Sequence, residues 1–294
     1  MTPLAAALER GPIVLDGGLG TLLEASGHDL SSSLWSARLL DDDPHAILDA
    51  HRSYFAAGAR VGISASYQVS FDASGDRAPH LLRRSVELCA AARDEAVAVD
   101  GVERWVAASV GPYGAMLADG SEYRGDYGVD VGRLRSWHAR RLDVLCDTDA
   151  DVLAVETIPS LDEVGAIAAE LMGRGRSAWI SVTAAGGRLR SGESLAEAFR
   201  IAAAVPEVVA VGVNCTDPAE VAVAIGAARS VTSKPVVVYP NSGEHWDATA
   251  RTWTGRAGFP AALVAEWVAA GAALVGGCCR VGPAEIESIV GACD

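Results

Sequence analysis

Short apolar runs alternate along the chain with longer stretches whose apolar positions recur at helical spacing. The short runs lie near Ile13–Leu15, Val61–Ser64, Trp105–Val110, Val152–Val155, Trp179–Val182, Val208–Val213, Val236–Tyr239 and Ala273–Val275. Their β-branched content and unbroken apolarity predict strands buried on both faces. A strand followed by a helix, repeated, predicts a parallel sheet. Eight such runs make a closed (β/α)8 barrel of the TIM type the expected α/β fold. A doubly wound open sheet is the alternative, but no glycine-rich dinucleotide fingerprint supports it.

Helix starts punctuate the same pattern. Asp43-Pro44 sets a capping residue before a proline at the first helical position, and Ile47, Leu48, His51, Tyr54, Phe55 and Gly58 then share one face. Ser160-Leu161-Asp162-Glu163 and Ser194-Leu195-Ala196-Glu197 read as capping boxes. Asp217-Pro218-Ala219-Glu220 and Gly282-Pro283 open two further helices. Two stretches fit no barrel element: Pro112 to Asp130, and Asn241 to Gly258 with Trp246 and Trp253. Both follow expected strands, where a barrel builds its active face, and long irregular loops are usually functional.

Composition adds limits. The chain has 294 residues, enough for one barrel, and no linker divides it, so residues 1–294 are expected to form a single domain. Its 24 basic and 38 acidic residues give a net charge of −14, which argues against a nucleic-acid partner and an anionic membrane surface. Met1 to Arg10 has no basic segment leading into an apolar run, and no stretch is long and apolar enough to span a bilayer. The expected compartment is the cytoplasm, where six cysteines read as reduced thiols. Oligomeric state is not legible.

The chemistry gathers at strand ends. Asn214-Cys215 ends the sixth run, and Gly276-Gly277-Cys278-Cys279 ends the eighth, so three thiols can converge at one mouth of the barrel. Three protein ligands with a fourth position open is a catalytic zinc arrangement, whereas core thiols are the plainer reading. Cys89, Cys146 and Cys293 read as core or surface thiols, and none of the six histidines has metal-ligand spacing. Asp16 and Glu156 end the first and fourth runs. Buried there, each needs a partner: an arginine, a helix N-terminus in the case of Asp16, or a cationic ammonium group of a substrate.

An ordered set of motifs carries a resemblance along nearly the whole chain. It runs through Asp16-Gly17-Gly18, Ala65-Ser66-Tyr67-Gln68, Val110-Gly111-Pro112-Tyr113-Gly114-Ala115, Glu156-Thr157-Ile158-Pro159, Gly212-Val213-Asn214-Cys215, Tyr239-Pro240-Asn241 and Gly276-Gly277-Cys278-Cys279. In these the chain resembles the zinc-dependent, cobalamin-independent homocysteine S-methyltransferases, relatives of betaine–homocysteine methyltransferase. The resemblance implies a (β/α)8 barrel and a zinc ion on Cys215, Cys278 and Cys279. It implies that Asp16 and Glu156 bind the amino group of homocysteine, and that backbone donors near Gly17 and Ser66 take its carboxylate, with Asn214 in the same substrate-binding set.

The segment Leu117 to Tyr127 looks like the branch using S-methylmethionine or S-adenosylmethionine, although Met116 stands where that branch often has an aromatic residue. The expected reaction moves a methyl group from such a sulfonium to homocysteine, giving methionine. Selenocysteine as acceptor, betaine as donor, and a zinc-binding barrel without turnover are the alternatives. No catalytic side chain is expected beyond the metal site, because the metal ionises the thiol and the donor carries its own leaving group. Tyr67, Tyr113 and Trp246 are candidate aromatic walls for the sulfonium.

Overall fold

The computed structural model describes residues 2–30, 35–247, 252–254 and 258–293. Each expected strand forms: β1 (Ile13–Val14), β2 (Val61–Ile63), β3 (Trp105–Val110), β4 (Val152–Ile158), β5 (Ala178–Val182), β6 (Val208–Asn214), β7 (Val236–Tyr239) and β8 (Ala272–Val275). All pair in parallel in the order β1-β8-β7-β6-β5-β4-β3-β2. A parallel bridge between Leu15 and Val61 joins the two ends, with the Asp16 amide donating to the Val61 carbonyl at 3.0 Å. The sheet is therefore a barrel, and the open-sheet alternative is excluded.

Side-chain parity builds the interior. Ile13, Leu15, Val61, Trp105, Ala107, Val152, Ala154, Trp179, Ala210, Val237, Tyr239 and Leu274 pack together inside the barrel. Their neighbours along the strands, such as Val106, Leu153, Ile180 and Val211, point outward into the core shared with the helices. Both faces are apolar, which is why the strands read as continuous runs rather than as alternation. The parity continues towards the strand ends, where Ser109, Glu156, Ser181 and Asn214 occupy the inward positions and are buried. The top layer of the barrel is thus polar, and it faces the loops.

Local chemistry sets the helices. Asp43 accepts from the Ala46 amide at 3.2 Å ahead of helix Pro44–Ala56, as its Asp-Pro start requires. Ser160 and Ser194 likewise accept from the amides of Glu163 and Glu197. The reciprocal half of the Ser160 box does not form. Glu163 turns inward and accepts from the Tyr113 amide (2.6 Å) and the Tyr127 hydroxyl (2.9 Å), with His138 Nε2 at 2.8 Å. One buried carboxylate thereby pins both ends of the loop after β3. That loop contains a short helix, Tyr113–Leu117, and a 3-10 turn, Ser121–Tyr123. The loop after β7 contains an antiparallel pair, His245–Asp247 with Thr252–Thr254. Among the described residues, no helix is long and apolar enough to cross a membrane.

His51, on the inner face of helix Pro44–Ala56, supplies a test of the packing. Neither ring nitrogen has a hydrogen-bond partner, and burial pushes the imidazole pKa down to about 4. In the unfolded chain it titrates near 6.5, so between these values the unfolded state binds more protons. Stability is complete above about pH 6.5 and falls as the pH drops towards 4. We expect this residue to cost about 2 kcal/mol at a pH of about 5. Urea unfolding at neutral and acid pH should show a flatter dependence for His51→Met; equal slopes would contradict the assignment.

Candidate active site

The polar layer opens into a cavity of about 300 Å³ at the C-terminal end of the strands. Gly17, Tyr67, Glu122, Tyr123, Glu156, Cys215, Cys278 and Cys279 are among the residues lining it. The three cysteines come from two strand ends, and their sulfurs all lie within 4.8 Å of one another. Cys215 Sγ is 3.7 Å from Cys279 Sγ, and Cys278 Sγ is 4.0 Å from it. A tetrahedral metal bonded to sulfur at ~2.3 Å needs sulfurs roughly 3.8 Å apart, so the spacing fits one ion. Crowding already splits the thiols. Hydrogen bonds with Cys215 and Cys278 pull the Cys279 thiol well below the ordinary range, while the same kind of contacts, with burial, push Cys278 well above it.

Tight backbone turns hold the thiols there. Cys215 has φ +49° and Thr157, at the end of β4, has φ +62°, both in the left-handed region that side chains rarely adopt. Asn214 braces the second of these turns. Its Oδ1 accepts from the Thr157 amide at 2.7 Å, and its Nδ2 donates to Thr157 Oγ1 at 2.7 Å. Across the cluster, Asn241 Oδ1 accepts from the Cys279 amide at 3.1 Å. A Cβ on Gly18 would stand 2.4 Å from the Cys278 carbonyl oxygen, so only glycine lets the loop after β1 pass the two cysteines.

Two carboxylates lie beneath the same mouth. Asp16 is 1% exposed; its Oδ2 accepts from the Ile63 amide at 2.7 Å, while its Oδ1 is buried without a partner. Burial drives its pKa well above the usual range, and the nearby Glu156 adds to the rise. Burial also pushes Glu156 up to about 7, against hydrogen bonds from the Ser109 and Tyr239 hydroxyls. Among the described residues neither carboxylate meets a basic side chain, and the helix Leu19–Ala25 is preceded by Gly18 with no side-chain cap. The arginine and helix-capping readings are therefore excluded. What remains is a pair of buried acids, Glu156 on the cavity wall and Asp16 outside that wall with one carboxylate oxygen unused.

The other expected site residues are placed differently. Ser66 is fully buried, with its hydroxyl donating to the Ser109 carbonyl at 2.8 Å, and Asn214 spends its side chain on Thr157 and Ser181. Neither lines the cavity, so their side chains support it rather than face it. Tyr113 packs against Tyr127 and Trp137, with ring centroids 5.5 and 5.2 Å away, in a separate apolar cluster that also takes Met116. It too lies outside the cavity wall. The side chain of Trp246 lies outside the described residues. Conversely, Tyr123 and Glu122 enter the wall without having been singled out. The Tyr123 hydroxyl sits 3.8 Å from Cys215 Sγ, and Arg190 stacks over its ring at 5.6 Å. Ser109 and Tyr239 were hidden for another reason: each sits in an apolar run, and only barrel parity reveals its inward direction.

Over residues 13–293 the sequence matches the family model for homocysteine S-methyltransferase. The chain belongs to that family. Within it, homocysteine S-methyltransferase from Escherichia coli (strain K12) is 43% identical over 98% of this chain and 97% of that protein. A selenocysteine Se-methyltransferase from Brassica oleracea var. italica is 41% identical over 95% of this chain and 88% of its own length. The crystal structure of the homocysteine methyltransferase MmuM from Escherichia coli, in a metallated form, superposes with a TM-score of 0.88 at 39% identity. It covers 98% of this chain and 99% of that one. This protein is thus a methyltransferase of the homocysteine S-methyltransferase family, built on the barrel fold and carrying a three-cysteine cluster suited to a metal.

Proposed function

We propose that the protein transfers a methyl group from a sulfonium donor, S-methylmethionine or S-adenosylmethionine, to homocysteine, with zinc held by Cys215, Cys278 and Cys279. The observation that carries this reading is the meeting, at one end of the barrel, of three thiols at metal spacing with two buried acids, Asp16 and Glu156, that have no basic partner among the described residues. Homocysteine presents the complementary pair, a thiol and an ammonium group. When bound, zinc supplies a Lewis acid that ionises the acceptor thiol at neutral pH, where a free thiol of pKa ~8.5 is only a few per cent ionised. Tetrahedral all-sulfur surroundings favour zinc over hard, oxygen-seeking ions.

The chain's own groups do the rest. Asp16 Oδ1 and Glu156 receive the ammonium group, which offsets their burial and holds the acceptor with its sulfur towards the cysteines. Backbone donors near Gly17, a residue of the cavity wall, and Ser66 take the carboxylate in this reading. Ser109 and Tyr239 orient Glu156, while Asn214 keeps the turn at Thr157 in its strained form. Tyr67 offers an aromatic wall to the donor. No general base is needed once the thiol is ionised. Positioning of two substrates in one enclosed site supplies much of the rate. A reducing, cytoplasmic setting keeps the thiols available, and residues 1–294 act as one homocysteine-binding domain.

The test supplies purified, zinc-loaded protein with homocysteine and each sulfonium in turn and measures methionine. Steady formation with at least one donor is expected. Absence of product with both, or equal rates after chelation, would overturn the reading. Selenocysteine belongs in the same assay as a rival acceptor, because the relative from Brassica oleracea var. italica bears that activity in its name.

A further inference from the structure

Two further carboxylates line the cavity, Glu24, which is exposed, and Glu122, which is half-buried and which the acceptor does not use. Glu122 lies on the 3-10 turn Ser121–Tyr123, in the loop after β3, and lines the same cavity as Tyr67 and the cysteines. Its Oε2 is shielded from solvent and has no hydrogen-bond partner. The nearest basic residue in sequence, Arg124, is turned to Asp119, whose carbonyl accepts from it at 3.4 Å and whose carboxylate lies 3.7 Å away. Burial pushes the Glu122 carboxyl up to about 7; Cys215 and Asp119 add to the rise, and Arg124, engaged with Asp119, opposes it less than any of these. The loop that carries it is not slack, since Glu163 fixes it through Tyr113 and Tyr127. An unpaired acid held rigidly at a cavity wall is costly unless a cation arrives.

We propose that Glu122, with the ring of Tyr67 beside it on the cavity wall, receives the positively charged sulfonium of the methyl donor. This deepens the functional reading above and rests on it. The acceptor's ammonium has Asp16 and Glu156; the donor's charge has Glu122. In the transfer, the acceptor thiolate forms the new carbon–sulfur bond to the methyl group. The methyl–sulfur bond of the donor breaks with its electron pair staying on the donor sulfur. The sulfonium becomes a neutral thioether, so Glu122 attracts the donor more than the product it leaves. Donor choice is thereby set by charge, and an uncharged methyl compound is refused.

Glu122→Gln keeps the shape of the side chain and removes its charge. With S-methylmethionine and homocysteine as substrates, the donor KM should rise about 10- to 100-fold, as for loss of a charged contact. The homocysteine KM should stay within a factor of about three, the size expected of a site left untouched. Glu122→Asp should recover part of the donor affinity. Calorimetric binding of S-methylmethionine to the zinc-loaded protein gives a reading that needs no turnover, with weaker binding expected for Glu122→Gln. An unchanged donor KM, equal rises in both KM values, or equal affinities by calorimetry would overturn the proposal. Turnover with an unchanged donor KM would sink Glu122 and leave the reaction standing. Charge-dependent sulfonium binding without methionine formation would sink the reaction and leave Glu122 standing.

Discussion

Replacing Cys279 by serine should remove most bound metal and lower methionine formation by about 1,000-fold or more. Two losses combine in that figure. The acceptor thiol returns to its ordinary pKa of ~8.5, which costs roughly 30-fold in thiolate at neutral pH. It also loses its fixed place beside the donor, and positioning is worth several further orders of magnitude in well-oriented reactions. Cys279 is the decisive choice, because its sulfur lies 3.7 and 4.0 Å from the other two and its thiol is the most acidic of the set. The barrel should survive, since Cys279 lies beyond the end of β8 and its side chain is not part of the apolar core. Metal analysis of the purified variant and its circular dichroism read the two claims separately. Full metal occupancy in Cys279→Ser would refute its role as a ligand.

Glu156→Gln should separate binding from stability in opposite directions. Truncating one side of a buried charged contact costs about 2–5 kcal/mol, so the homocysteine KM should rise about 100-fold. The rate at saturating homocysteine should change far less, because the thiol chemistry is untouched. The free protein should become more stable, since the variant no longer buries a carboxylate beside Asp16. A gain of about 1 kcal/mol would raise Tm by roughly 2–4 °C in a chain of this size. Steady-state kinetics and thermal unfolding together test it. A variant that loses stability and keeps its KM would mean that Glu156 is a structural acid after all.

The barrel was legible because strands buried on both faces advertise themselves as apolar runs, and all eight formed where the sequence placed them. The cysteines and the two acids stood out for the same reason: the acids directly follow such a run and the cysteines follow one after a residue or a short glycine turn, at the end where a barrel does its chemistry. What the sequence withheld was direction. Ser109 and Tyr239 stand inside apolar runs, and only the closed barrel turns them inward towards Glu156. Tyr113 follows a strand end, which suggested the cavity, yet its ring is claimed by Trp137 and Tyr127. Glu163 had the spacing of a helix cap and instead spans 50 positions to reach the Tyr113 amide. Contacts of that reach leave no local pattern. Glu122 was hidden likewise, because its meaning lies in a missing partner and not in its neighbours along the chain.

Zinc titration of the metal-free protein, with methionine counted at each addition, tests the central claim most directly. The account predicts that turnover of homocysteine and a sulfonium donor rises in proportion to zinc and saturates at one ion per chain, with no response in Cys279→Ser. Turnover that is full before any zinc is added, or that climbs equally in Cys279→Ser, would contradict it.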